Sequence, residues 1–201
     1  MPKPVNKPLI AVDIDEVLFP MVPDLISYLD REHSVKLSQN DFVKYNLEEI
    51  WEGDPAEAKA LFQSYVNQFE IEVAPIKDAA AALRQLSVGY DVIVMTARDE
   101  SVGKITRDWL NQHFPQIFKD VHLLGNSKDS VSWRGKAEVC KELGVYCLID
   151  DSLKHILATD EAGIKTILFG NYPWNQADKL PAGVTRVKNW QEVLEYFDAA
   201  G

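Results

Sequence analysis

The sequence predicts an α/β protein: a Rossmann-like three-layer sandwich around a central parallel sheet, with a small helical cap inserted after the first strand. Three observations carry that expectation. Leu9-Ile10-Ala11-Val12, Asp91-Val92-Ile93-Val94-Met95, Tyr146-Cys147-Leu148-Ile149 and Lys165-Thr166-Ile167-Leu168-Phe169 are short apolar runs with little alternation, the pattern of strands buried on both faces of a parallel sheet. From residue 77 onward such runs alternate with segments of helical periodicity, which builds a sheet covered on both sides. Between the first two runs lies a long stretch with helical spacing and no strand. Residues 1–19 and 75–201 are therefore read as the α/β core and residues 20–74 as the helical cap.

Composition bounds the function. The 201 residues, 46% hydrophobic and 26% charged, suffice for a sizeable core in one domain with a modest insertion. A formal charge of -10 argues against a nucleic-acid polymer or an anionic membrane as partner. Small phosphorylated ligands stay open, because they need only local positive charge. The lead-in Met1-Pro2-Lys3-Pro4-Val5-Asn6-Lys7-Pro8 lacks the apolar segment of a secretory signal, and no stretch approaches a membrane span. Cys140 and Cys147 show no metal-ligand spacing and read as reduced core residues. A cytoplasmic protein is expected.

The elements follow in order. Pro20 and Pro23 end the first strand region and deflect the chain before a helix near Asp24. Leu25, Ile26, Leu29, Phe42, Tyr45, Leu47, Ile50 and Trp51 recur at helical spacing, and Asp54-Pro55 reads as an N-cap with proline at the first helical position. The aromatic residues of this segment are expected to form a small core of their own. Lys77–Leu86, Ser101–His113 and Arg134–Leu143 read as helices, the last closed by Gly144 as its C′ residue. Val121-His122-Leu123-Leu124 reads as a short strand, and Gly125–Ser130 as a loop. Another short helix ends at Asp160 or Glu161, Gly163 breaks it, and Gly170–Gln176 is a ring-rich loop. Asn189–Ala199 is an amphipathic helix carrying Trp190, Val193, Leu194 and Phe197.

The chemistry gathers at the carboxyl ends of the strands, where ligands of open parallel sheets bind. Asp13 and Asp15 end the first strand, Thr96 with Ala97 and Arg98 the second, and Asp150 with Asp151 the fourth, with Lys128 and Lys136 nearby. Four clustered aspartates call for a cation, since like charges disfavour one another's ionisation. Hard oxygen ligands suit Mg²⁺, which takes one or two carboxylates and a substrate phosphate. Mg²⁺, one lysine and the Thr96 hydroxyl together make a phosphate cradle.

On these residues the chain resembles the haloacid dehalogenase superfamily of phosphohydrolases. Asp13-Ile14-Asp15 matches the first motif, Val94-Met95-Thr96-Ala97-Arg98 the second, Lys136 in Arg134-Gly135-Lys136-Ala137 the third, and Leu148-Ile149-Asp150-Asp151-Ser152 the fourth. The resemblance implies that Asp13 is a nucleophile forming an aspartyl-phosphate and Asp15 the acid and base. It implies that Thr96, Ala97, Arg98 and Lys136 contact the phosphorylated substrate. Mg²⁺ would be held by Asp13, the Asp15 backbone carbonyl and the acidic pair, with Asp151 the direct ligand and Asp150 orienting Lys136 or a water. Lys136 is preferred to Lys128 because it opens a helix. Glu16 stands where many members have glycine, and alternation after a strand would turn its side chain to solvent. The helical insertion, Asp150-Asp151-Ser152 and the late Pro173-Trp174-Asn175 are similar to the 5′(3′)-deoxyribonucleotidase branch. The expected activity is that of a Mg²⁺-dependent phosphatase on a small phosphomonoester such as a nucleotide. A non-catalytic phospholigand-binding protein is the alternative.

Overall fold

The computed structural model describes residues 7–125 and 135–200. In chain order the strands are β1 (Leu9–Val12), β2 (Asp91–Asp99), β3 (Phe118–Gly125), β4 (Val145–Asp150), β5 (Lys165–Phe169) and β6 (Val184–Val187). The helices are α1 (Met21–His33), α2 (Leu47–Ile50), α3 (Pro55–Val66), α4 (Ala79–Leu86), α5 (Gly103–His113), α6 (Lys136–Leu143), α7 (Leu153–Glu161) and α8 (Trp190–Ala200). The strands pair in the order β3-β2-β1-β4-β5-β6, every pair parallel. This is the Rossmann-like α/β sandwich that the sequence predicts.

Alternation along each strand divides the core into two layers. Ile10, Val12, Val92, Val94, Cys147 and Ile149 pack into a cluster that also takes buried side chains of α1, α4, α5 and α8. Ala11, Ile93, Met95 and Leu148 face the other way, against Val139 and Cys140 of α6 and Ile156 of α7. Ile10, Ala11 and Val12 are fully buried, because β1 lies inside the sheet with a neighbour on each edge.

Four local features differ from the sequence reading. Helix α1 starts at Met21, so Pro23 sits in its first turn, where a missing N–H leaves no helical bond unmade. Strand β2 runs on to Asp99, its pairing with β3 shifting register between Thr96 and Asp99. Gly125 permits that approach, since a Cβ there would collide with the Ala97 carbonyl. Strand β6 has no counterpart in the sequence reading: four residues with only Val184 and Val187 buried give too little pattern. Finally, Phe42, Leu47, Ala58 and Tyr65 of the inserted segment do not form a separate core. They belong to the cluster that contains β1, because the first turns of α1 continue directly from it.

Candidate active site

Strand order builds the site. The neighbours β2, β1 and β4 deliver Thr96, Asp13 and Asp150 side by side, and β1 is fastened at its end by the Asp13 N–H donating to the Ile149 carbonyl at 2.9 Å. Beyond Asp13 the chain makes a tight turn, with the N–H groups of Val17, Leu18 and Phe19 all directed to the Ile14 carbonyl.

Lys136, the first residue of α6, is buried and lies 2.8 Å from Asp13 Oδ1 and 2.6 Å from Asp150 Oδ2. The same Asp13 oxygen accepts the Ile14 N–H at 2.8 Å, which fixes the plane of the carboxylate. Asp150 is held on its other oxygen by the Ser152 N–H, also at 2.8 Å. Asp151, buried too, accepts from the Trp174 indole at 2.7 Å, and its backbone carbonyl accepts from the Asn175 amide. Asp13, Asp150 and Asp151 each offer a carboxylate oxygen, all within 4.8 Å of one another.

The electrostatics are those of a site with surplus negative charge. Burial, and then Asp150 and Asp15, raise the Asp13 pKa to about 7 against the pull of Lys136. Burial and the two nearby aspartates push Asp151 well above the usual carboxylate range. Burial would lower the Lys136 pKa, yet Asp13 and Asp150 outweigh it and hold the ammonium charged. A cation among the three acids removes the repulsion that raises these pKa values, and oxygen-only ligands select a hard one. The residues therefore fit Mg²⁺.

A cavity of about 530 Å³ opens onto this cluster, with Asp13, Asp15, Lys136 and Asp151 on its floor and Tyr45 and Trp174 at its wall. The two rings meet edge to face at 5.5 Å, and Trp174 stacks on Tyr172 at 4.6 Å. Tyr45 belongs to the inserted segment and Trp174 to the loop after β5, so the segment meets the core across the cavity.

The remaining residues singled out in the sequence are placed as follows. Thr96 is fully buried and its hydroxyl accepts the Arg98 N–H at 3.2 Å. Ala97 is exposed on the cavity wall. Arg98 is turned onto Asp15 at 2.6 Å. Lys128 and Arg134 lie outside the described residues.

Glu16 departs from its expected place in solvent. It is 1% exposed, at a φ of 59°, in the left-handed region that glycine favours. The tight turn after Asp13 breaks strand alternation and points the carboxylate inward, where it accepts the Val22 N–H at the start of α1 at 2.6 Å. Burial raises its pKa to about 8. Its carbonyl accepts from the Tyr172 hydroxyl at 2.8 Å.

Sequence reasoning missed the structural part played by Trp174 and Asn175. The Asn175 amide also donates to the Phe169 carbonyl, and its side-chain oxygen accepts from the Tyr172 N–H and from Arg186. The density of rings and amides just past β5, at the ligand-binding end of the sheet, was the available signal.

Comparison with known proteins agrees with this geometry. The family model of the 5′ nucleotidase, deoxy (pyrimidine), cytosolic type C protein matches residues 7–200. YqfW of Bacillus subtilis, which carries a nucleotidase name, is 26% identical over 197 residues, covering 94% of this chain and 93% of its own. The haloacid dehalogenase-like hydrolase SP0104 of Streptococcus pneumoniae superposes with a TM-score of 0.68 at 20% identity, over 95% of this chain and 98% of that one. YfnB of Bacillus subtilis, a HAD-hydrolase solved with magnesium bound, gives a TM-score of 0.61 at 14% identity, over 96% and 100%. With the match running through every described strand and helix, the chain belongs to the 5′ nucleotidase, deoxy (pyrimidine), cytosolic type C family and is a phosphomonoester hydrolase of the haloacid dehalogenase superfamily.

Proposed function

We propose that the protein hydrolyses a nucleoside monophosphate through an aspartyl-phosphate on Asp13, with Mg²⁺ as cofactor. The observation that carries this reading is the buried Asp13 carboxylate, fixed by the Lys136 ammonium and the Ile14 N–H at the floor of an open cavity. Asp13 attacks phosphorus and the ester oxygen leaves, so one difficult displacement becomes two easier ones. Asp15, across the same cavity floor, gives the leaving oxygen its proton and then takes one from the hydrolytic water. Lys136 offsets charge on the transferring oxygens, and Asp150 holds Lys136 in place. The Asp13 and Asp151 side chains and the Asp15 carbonyl hold the metal, while Trp174 fixes the orientation of Asp151. Mg²⁺ supplies Lewis-acid stabilisation of the phosphoryl charge.

The inserted segment, residues 20–74, serves as a lid over the strand ends. Support comes from Tyr45, which reaches the cavity wall, and from the connections of the segment, which leave β1 and return before β2 beside the acids. Phe42, in contrast, is fully buried, and Trp51 donates to Glu57 beside a separate groove. The base of the nucleotide is assigned to Tyr45 and Trp174 on the strength of their rings and of the family.

Phosphate release from a panel of nucleoside 5′-monophosphates and from 4-nitrophenyl phosphate, with Mg²⁺ and with EDTA, tests the reading. Metal-dependent release is expected on both substrate classes, with Tyr45→Ala impairing only the nucleotides. Equal release in EDTA rules out the metal, and an unchanged nucleotide preference in Tyr45→Ala rules out the ring as a base contact. Beryllium fluoride, which forms an aspartyl-phosphate mimic on a competent carboxylate, separates a hydrolase from a phospholigand-binding protein.

A further inference from the structure

The guanidinium of Arg98 is engaged within the protein. Its Nε lies 3.1 Å and 3.2 Å from the two Asp15 oxygens and its Nη2 2.6 Å from one of them. Its Nη1 donates to the Thr106 hydroxyl of α5 at 3.2 Å. The central carbon sits 4.8 Å from the Phe19 ring and 4.9 Å from the Phe69 ring. Those rings are 5.8 Å apart and inclined at 55°, so they form a notch that receives the flat cation. Phe19 is backed by Trp109 of α5, and Phe69 comes from the inserted segment just beyond α3. The Arg98 side chain is 7% exposed, whereas Asp15 retains 18%.

A carboxylate with one point-like partner still turns about its last torsion. Two nitrogens of one planar fork against two oxygens fix that plane, which an ammonium cannot do. Asp15 also borders both the 530 Å³ cavity and a second one of about 340 Å³ lined by Phe62, Val66 and Phe69. The fork therefore touches both Asp15 oxygens while the residue, partly exposed, still borders the cavity. We propose that Arg98 is a positioning residue for Asp15, aligning it for proton transfer, with Phe69 of the inserted segment keeping the fork in register. The proposal rests on Asp15 being the proton-handling carboxylate of the reaction.

Substituted phenyl phosphates isolate the effect, because 4-nitrophenolate leaves without a proton and unsubstituted phenolate needs one. The quantity read is kcat/KM, which reports phosphoryl transfer to Asp13. Asp15→Asn should lose roughly a hundredfold or more on phenyl phosphate and far less on the 4-nitrophenyl ester, the scale of general acid catalysis. Arg98→Lys keeps the charge without the fork. It should reproduce the selective loss at about tenfold, as expected when a reacting group is misaligned by a fraction of its working distance. Phe69→Ala leaves the ion pair intact, should show the same selectivity at smaller size, and carries the test if Arg98→Lys does not fold. Equal loss on both esters, or no loss, in the folded variant overturns the positioning role; a rise in KM alone would instead mark Arg98 as a substrate contact. If Asp15→Asn itself is unselective, the proton-handling assignment of Asp15 falls and takes this proposal with it. A selective Asp15→Asn beside an unselective Arg98→Lys overturns the positioning role alone.

Discussion

Both carboxylates that end the first strand meet a buried cation, but on different terms. Asp13 shares Lys136 with Asp150, and Asp151 stands within 4.8 Å, so one ammonium answers three acids. Asp15 has a whole guanidinium, walled by Phe19 and Phe69. Both border the same cavity, but the first arrangement is under-neutralised whereas the second is a matched pair. The contrast teaches that charge is buried here for two purposes within one site. Surplus negative charge favours uptake of a cation, whereas a matched pair holds a carboxylate still.

The largest expected effect separates the two carboxylates by chemistry. Asp13→Asn keeps the shape but removes the nucleophile, and turnover of every phosphomonoester should fall about ten-thousandfold or more. Rapid-quench detection of a phosphorylated protein checks the cause, since the variant should form none. If turnover survives, Asp13 is not the nucleophile.

Stability in EDTA sharpens the comparison through its sign. Arg98→Met strands the Asp15 carboxylate and should lower the unfolding free energy by about 3–5 kcal/mol, the usual result of breaking a buried pair. Asp151→Asn relieves repulsion in a cluster that lacks enough positive charge, and should raise it by about 1 kcal/mol. Urea titrations of both variants measure the two numbers. Destabilisation by Asp151→Asn would mean that its bond to Trp174 outweighs the repulsion.

Trp174→Phe keeps the ring that stacks on Tyr172 and removes the indole bond to Asp151. The Mg²⁺ concentration for half-maximal turnover should rise about tenfold, with little change at saturating metal. An equal loss at all Mg²⁺ concentrations would place Trp174 in substrate binding alone.

The smallest effect concerns the connection between the site and the inserted segment. Pro20 offers α1 no side-chain cap, and Glu16 accepts the Val22 N–H in its place. Glu16→Ala should cost about 1 kcal/mol by loss of that cap, read as a lower melting temperature, while Glu16→Gln should retain most of it. If both variants melt alike and below the parent, the carboxylate acts through charge instead.

Much of this site is legible in the sequence. The apolar run ending in Asp13 and Asp15 reads as a strand delivering acids, because consecutive apolar residues suit a strand buried on both faces. Lys136 reads as a helix opening toward the site, and the structure brings it to both Asp13 and Asp150. Asp54 caps α3 by accepting the Ala56 N–H, as its place before Pro55 implies. Gly144 adopts the left-handed conformation expected after α6. Glu16 was misread because the alternation rule holds only while the chain stays extended, and the chain turns sharply right after Asp13.

By itself, then, the sequence determined five of the six described strands, most helices, the caps at Asp54 and Gly144 and the order of the acidic and basic residues, since each depends on neighbours a few positions away. Tertiary structure alone decided the partners. Arg98 reaches Asp15 across 83 positions, Trp174 reaches Asp151 across 23, and Tyr172 reaches the Glu16 carbonyl across 156. It also decided that the rings of the inserted segment would join the main core and that Val184–Val187 would extend the sheet. The physical reason is that a hydrogen bond or ion pair is made by whichever groups the packed strands and loops bring within about 3 Å, and that proximity is set by strand order and loop path rather than by local pattern.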